Sequence, residues 1–203
     1  MNPTDSFYAR YGKRLFDLIV VIPVIAAIWP LLLLIAIVIR ATSRGPAFFR
    51  QGRLGRNATE FEAWKFRTMT DKPRVPDTVS YSGDPNEVTA IGRILRRTKL
   101  DELPQIFNVL KGDMSLVGPR PQLPIQLKDF DENAKLRLLV RPGLTGMAQT
   151  HGGVVLNWTE RWAYDAEYVR RLSFALDLWL IMRTFGVLLR GEEKYVVRRE
   201  LSQ

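Results

Sequence analysis

A chain of 203 residues, 46% of them hydrophobic, is long enough to bury one ordinary core. It has no cysteine, which excludes disulfide frameworks and thiolate chemistry and is consistent with the cytosolic side of a membrane. Thirty lysines and arginines against 21 aspartates and glutamates leave a net charge of +9, which suits an anionic membrane surface, nucleic acid or a phosphate-rich substrate without choosing among them.

The hydrophobic residues are unevenly spread. From Leu18 to Ile39 every position is apolar or proline, about 33 Å of helix, or one bilayer core. A cleaved signal peptide would need a shorter apolar stretch and a small-residue cleavage site, and Arg40-Ala41-Thr42-Ser43-Arg44 supplies no compelling one, so a retained membrane segment is expected. Lys13 and Arg14 precede it, and Arg40 and Arg44 follow it. The positive-inside tendency places both ends on the cytoplasmic side, which a re-entrant hairpin satisfies and a straight span does not. Pro23 and Pro30 each remove a helix hydrogen bond, and Trp29-Pro30, near the middle, is the expected main break. A kinked ordinary spanning helix accommodates the same prolines, so both readings stand.

After a Gly45-Pro46 turn, Ala47–Gln51 and Phe61–Arg67 read as two strands of a hairpin. The segment from Asp71 to Glu87, with Pro73, Pro76, Gly83 and Pro85 among polar residues, reads as a long loop, either a lid over a site or a simple connector. Ala90–Thr98 predicts a short basic helix, and a second helix is expected from about Leu103 to Leu110, with Pro104 in its first turn and Gly112 ending it. Ile125–Leu139 is expected to be helical, and Arg141-Pro142-Gly143-Leu144-Thr145-Gly146 to be a rigid turn. Two amphipathic helices follow, over Asn157–Arg171 and Phe174–Leu189. Their tryptophans, tyrosines and arginines suit a lipid headgroup region, with packing in the core as the alternative.

The chemistry concentrates at Leu100-Asp101-Glu102-Leu103-Pro104-Gln105. Two adjacent carboxylates sit at a helix–helix junction, with Arg93, Arg96, Arg97 and Lys99 before them and Arg120 after them. Guanidinium groups grip phosphate in a bidentate way, opposite charge keeps an aspartate ionised, and a hard cation such as magnesium would bridge carboxylate and phosphate oxygens. Phosphate chemistry on a membrane substrate and a structural salt-bridge cluster both fit these residues. His151, the single histidine, stands beside Gly152-Gly153 and better suits a surface or hydrogen-bonding role than zinc binding. There is no P-loop, no dinucleotide fingerprint and no established nucleic-acid signature, so the basic charge is assigned to lipid and phosphate.

These motifs give the chain a resemblance to the bacterial sugar transferases, the small monotopic phosphoglycosyl transferases that begin glycan assembly on polyprenol phosphate. The matching residues run through nearly the whole length. They are Lys13-Arg14-x-Phe16-Asp17, Gln51-x-Arg53 with Gly55, Lys65-Phe66-Arg67-Thr68-Met69, Leu100–Gln105, Asn108–Ser115, Val117-Gly118-Pro119-Arg120-Pro121 and Arg141-Pro142-Gly143-x-Thr145-Gly146.

The resemblance implies an α+β fold: a mostly helical domain with a small sheet, interfacial amphipathic helices, and a membrane helix broken at Trp29-Pro30 that enters and leaves at the cytoplasmic face of a bacterial inner membrane. Residues 1–44 would form the membrane segment and residues 45–203 the catalytic domain. It implies transfer of a phosphosugar from a UDP-sugar to polyprenol (undecaprenyl) phosphate with release of UMP. Carried onto this chain, Asp101 is the nucleophile and magnesium ligand, and Glu102 is its partner. Arg96, Arg120, Lys65, Arg67 and Arg141 hold substrate and phosphate charge. Where many members read Gly-Trp-Ala-Gln-Val-Asn-Gly, this chain reads Gly146-Met147-Ala148-Gln149-Thr150-His151-Gly152, so no sugar preference carries over. Nothing in the sequence argues for or against a homo-oligomer. Two rivals are separable: a membrane glycosyltransferase would release UDP, and a non-catalytic scaffold of a glycan pathway would tolerate Asp101→Asn.

Overall fold

The computed structural model describes residues 6–70 and 87–190. The expected loop from Asp71 therefore lies outside the described residues except at its end, Glu87. A π-helical turn (Tyr8–Gly12) leads into the long helix α1 (Lys13–Thr42). Together they are long and apolar enough to cross a membrane, with a mean hydropathy of 3.0 over an 18-residue stretch. Among the described residues the chain is mostly helical with two small sheets.

Helix α1 has Pro23 and Pro30 inside it, and the chain keeps a helical conformation at Trp29-Pro30. A proline deletes one N–H bond, and the remaining bonds of the turn can carry the helix past it. Packing supports this path: Val21, Leu32, Ile35 and Ile39 are buried, Ile25 and Ile28 are partly so, and together they form one stripe along the helix. The stripe contributes to two hydrophobic clusters, one with Ile106, Val109 and Met114 and one with Ala47, Phe66 and Leu95. The other side leaves Ile19, Ile22, Trp29, Leu33, Leu34 and Ile37 exposed.

The hairpin forms as expected, slightly displaced. Strand β1 (Phe48–Leu54) pairs antiparallel with β2 (Glu60–Phe66), Phe48 facing Phe66 and Leu54 facing Glu60. Helix α2 (Ala90–Arg97) is capped by Thr89, whose hydroxyl accepts from Gly92 N–H at 3.0 Å. The second predicted helix begins differently: Leu100–Gln105 winds as a 3₁₀ helix around Pro104, and α3 (Ile106–Lys111) follows. Gly112 ends it in a left-handed conformation, φ 98°, as its position predicts.

The segment predicted as a rigid turn at Arg141–Gly146 is instead partly a strand. β4 (Gly143–Thr145) pairs in parallel with β3 (Ser115–Val117). The glycines belong to this close approach, since a Cβ on Gly143 would stand 2.1 Å from the Gly118 nitrogen. The crossover between them was expected to hold one helix over 125–139. It is broken at Phe130 and Asp131 into a 3₁₀ turn (Pro124–Asp129), α4 (Glu132–Leu136) and a further 3₁₀ turn (Arg137–Leu139). Asp131 causes the restart by accepting from Ala134 N–H at 2.7 Å, an N-cap.

A short helix α5 (Met147–Thr150) precedes α6 (Trp158–Arg170) and α7 (Phe174–Arg190). Asn157 and Glu160 close a reciprocal capping box at the start of α6. Helix α6 directs Trp162, Ala166, Tyr168 and Val169 inward, so much of its aromatic content serves the core. Helix α7 buries Leu180 and Val187 and leaves Phe174, Leu178, Met182 and Phe185 exposed.

Candidate active site

Three elements converge on the acidic pair. Helix α2 packs so tightly on the chain after β2 that a Cβ on Gly92 would fall 2.0 Å from the Thr68 carbonyl. In that position Arg96 Nε donates to Thr68 Oγ1 at 2.9 Å. Lys99 then turns the chain in a left-handed conformation, φ 58°, and Asp101 and Glu102 open the 3₁₀ helix. Asn108 fastens α3 to β2 from both ends of its amide, accepting from Trp64 N–H at 3.0 Å and donating to the Glu62 carbonyl at 2.7 Å. This holds Lys65 over the dyad. From the turn after β3 comes Arg120.

The two carboxylates are in opposite states. Glu102 accepts from both Nη atoms of Arg120, at 2.6 and 3.1 Å, and from Lys65 Nζ at 2.7 Å. Burial alone would push its pKa up, but Arg120 and Lys65 outweigh burial and hold it well below the usual carboxylate range. Asp101 has no hydrogen bond or ion pair to another side chain among the described residues. Burial raises its pKa, the adjacent Glu102 charge adds to the rise, and Lys65 and Arg96 oppose it. Burial lowers the Lys65 pKa, with Glu102 opposing. The arrangement is one partly buried, unpaired carboxylate beside a fixed anion that holds two cations in place.

Of the residues assigned from sequence, Asp101, Glu102, Lys65, Arg96 and Arg120 are brought together. Arg67 and Arg141 are not. Arg67 is buried and donates to the carbonyls of Ser43, at 3.0 Å, and Arg44, and to the Ser43 hydroxyl at 2.8 Å. Its guanidinium thus serves the carbonyl-rich end of α1. Arg141 donates through Nε to the Gly112 carbonyl at 2.8 Å, and the charges that bear on it are Arg14, Arg56 and Asp17. His151 also lies apart from the dyad, its ring stacked on Tyr164 at 4.9 Å and its Nδ1 2.7 Å from the Met147 carbonyl.

Sequence reasoning missed a cavity of about 400 Å³ that opens beside the dyad, with Lys65, Lys99 and Arg120 on its wall. Gln122, Arg137, Gln149 and Asp165 line it too. The available signal was a charge at an otherwise apolar position, such as Arg137 between Leu136 and Leu138.

The chain matches the bacterial sugar transferase family over residues 8–191. It is 41% identical over 180 residues to a UDP-glucose:undecaprenyl-phosphate glucose-1-phosphate transferase of Klebsiella pneumoniae, covering 85% of this chain and 39% of that protein. A protein of the same name from Caulobacter vibrioides is 40% identical over 204 residues, covering 96% of this chain and 76% of its own length. The uncharacterized sugar transferase EpsL of Bacillus subtilis is 40% identical over 185 residues, covering 89% and 88%. A membrane-helix protein with a paired-carboxylate site set among cations is the class defined by fold and site. The chain belongs to the bacterial sugar transferase family.

Proposed function

We propose that this protein is a phosphoglycosyl transferase that moves a phosphosugar from a UDP-sugar to polyprenol phosphate, with undecaprenyl phosphate the acceptor suggested by the names of its relatives. The observation that carries the reading is the division of labour in the dyad. Glu102 is saturated by Arg120 and Lys65, and Asp101 is left unpaired beside them.

In this reading an Asp101 oxygen attacks the phosphorus that bears the sugar. The bond from that phosphorus to the UMP oxygen breaks, UMP leaves with the electron pair, and an aspartyl phosphosugar remains. A phosphate oxygen of the polyprenol phosphate then attacks the same phosphorus and displaces the Asp101 carboxylate, giving polyprenol diphosphosugar. Splitting the transfer lets a soluble donor and a lipid acceptor use one site in turn. Arg120, Lys65 and Arg96 supply positive charge where it builds on the equatorial oxygens. Glu102 keeps two of those cations in position.

Magnesium fits the donor set in one mode. Among the described residues no three acidic or histidine side chains cluster, but magnesium is commonly held by one or two carboxylates plus substrate phosphates, and the unpaired Asp101 carboxylate meets that requirement. When bound, it would neutralise charge on the diphosphate.

Both ends of α1 are tied to the domain. Arg14 donates to the Val109 and Leu110 carbonyls near the N-terminal end, and Ile39 packs with Ala47 and Leu95 near the other. With its buried stripe on the domain and its exposed stripe toward lipid, α1 would enter and leave by one face, the cytoplasmic face of the inner membrane, through a bend at Trp29-Pro30 that keeps the helix continuous. The exposed apolar face of α7 would lie in the same interface, because Phe174 packs against Tyr8 and Phe16 at 5.8 and 5.3 Å.

The test is to trap the intermediate. Protein in nanodiscs is incubated with magnesium and a panel of UDP-sugars, without acceptor, and its intact mass is measured. A phosphosugar adduct on Asp101 is expected. Release of UDP instead of UMP would overturn the reaction, and UMP formed only when polyprenol phosphate is present would replace the covalent route with direct transfer.

A further inference from the structure

The cavity beside the dyad is distinguished by what its wall leaves unpaired. Gln122 Oε1, both ends of the Gln149 amide, Arg137 Nη1 and Asp165 Oδ1 are buried atoms without a hydrogen-bond partner, and all four side chains line this one cavity. Gln122, Arg137 and Asp165 are more than nine-tenths buried. Unpaired buried polar groups are rare because each gives up its water without compensation. A concentration of them around one cavity points to a partner that is not part of the chain.

The Arg137–Asp165 pair shows the same incompleteness. Arg137 Nη2 meets Asp165 Oδ2 at 3.1 Å and also donates to the Arg120 carbonyl. The pair therefore holds by one prong, leaving Nη1 and Oδ1 with a donor and an acceptor to offer. A single hydroxyl group can satisfy both, donating to Oδ1 and accepting from Nη1. The Gln149 amide makes the same double offer, and Gln122 Oε1 adds an acceptor.

This inventory decides between the parts of a nucleotide-sugar. The side chains of the wall carry three buried acceptors that need donors. The nucleoside brings a uracil N–H and the ribose hydroxyls, whereas a hexosyl ring brings more hydroxyl groups, spread around its whole edge, each both donor and acceptor. Location agrees, because Lys65 and Arg120 share the wall with these residues and hold Glu102 beside Asp101. A sugar on the phosphorus attacked by Asp101 would stand at this opening.

We propose that the cavity seats the hexosyl group of the donor and that Gln122, Gln149, Arg137 and Asp165 set sugar specificity through hydrogen bonds to its hydroxyls. The inference rests on the phosphosugar-transfer reading and deepens it.

Equilibrium binding tests it without relying on turnover. In an Asp101→Asn background in nanodiscs, calorimetry measures UDP and a panel of UDP-sugars containing glucose, galactose, N-acetylglucosamine and N-acetylgalactosamine. Gln149→Leu and Gln122→Leu are each expected to weaken the tightest UDP-sugar by about tenfold, the loss of one or two hydrogen bonds, while UDP binds unchanged. Neither should lower Tm, because neither removes a bond that the free protein makes. Equal losses for UDP and UDP-sugar would reassign the cavity to the nucleoside, and no loss for either would end its role as a binding site. If the Asp101→Asn protein with the cavity intact binds no UDP-sugar, the donor reading itself fails.

Discussion

Asp177 and Asp165 are both buried aspartates paired to a buried cation, and their surroundings differ in completeness. Asp177 uses both oxygens: Oδ2 accepts from Lys13 Nζ and Tyr8 Oη, each at 2.6 Å, and Oδ1 accepts from Tyr168 Oη at 2.8 Å. That network joins the start of α1 to α6 and α7. Asp165 has one prong to Arg137 and a second oxygen with no partner. Burying charge is costly unless it is paired and hydrogen-bonded, so a complete network can hold a fold together whereas an incomplete one burdens it. The difference separates a part of the molecule organised for structure from a part organised for a ligand. Substitution should therefore be felt as stability on the Asp177 side and as chemistry or binding on the Asp101 side.

The sharpest test is Asp101→Asn. Turnover should fall by about a thousandfold or more, as expected when a covalent nucleophile is removed. The Tm should stay level or rise, because the lost carboxylate has no side-chain partner. A large drop in Tm would place Asp101 with the structural residues and break the comparison.

Asp177→Asn should show the reverse. Leaving Lys13 buried beside a neutral partner is expected to cost about 3 to 5 kcal/mol of stability, read as lower Tm and poor recovery in detergent, with turnover per folded molecule nearly unchanged. Lost turnover at unaltered Tm would contradict the division.

The smallest effect is a shift in pH dependence. As the proposed nucleophile, Asp101 must be ionised to attack, and burial and Glu102 place its pKa above the ordinary value, so the rate should be lost as pH falls through that raised pKa. Lys65 holds the value down. Lys65→Met should move the acid limb of single-turnover adduct formation to higher pH, with the rate recovering at alkaline pH apart from lost phosphate contact. A limb that stays in place would show that Lys65 does not act on Asp101 through charge.

Local signals carried much of the fold and half of the site. Thr89 before α2, Gly112 after α3 and Asn157 before α6 mark their helix ends through backbone chemistry that needs no distant partner. The dyad and its basic neighbours were legible for the same reason. The parallel pairing of β3 and β4 was not, since each strand has three residues and the contact exists only after the crossover folds. Motifs marked Arg67 and Arg141 without revealing what their guanidinium groups reach, and both reach backbone carbonyls. The cavity wall was least accessible, because Gln122, Arg137, Gln149 and Asp165 come from separate segments and look like ordinary polar residues until packing strips their water.

The bond from Lys13 to Asp177 spans 164 residues. At translation rates of about 5 to 20 residues per second, the partner of Lys13 emerges roughly 10 to 30 seconds after Lys13 itself. Throughout that interval α1 exists without α7, whose Asp177 neutralises its foot. The newborn α1 must therefore wait with a hydrated lysine at its foot, and α7, made long after it, is the helix that locks it into place.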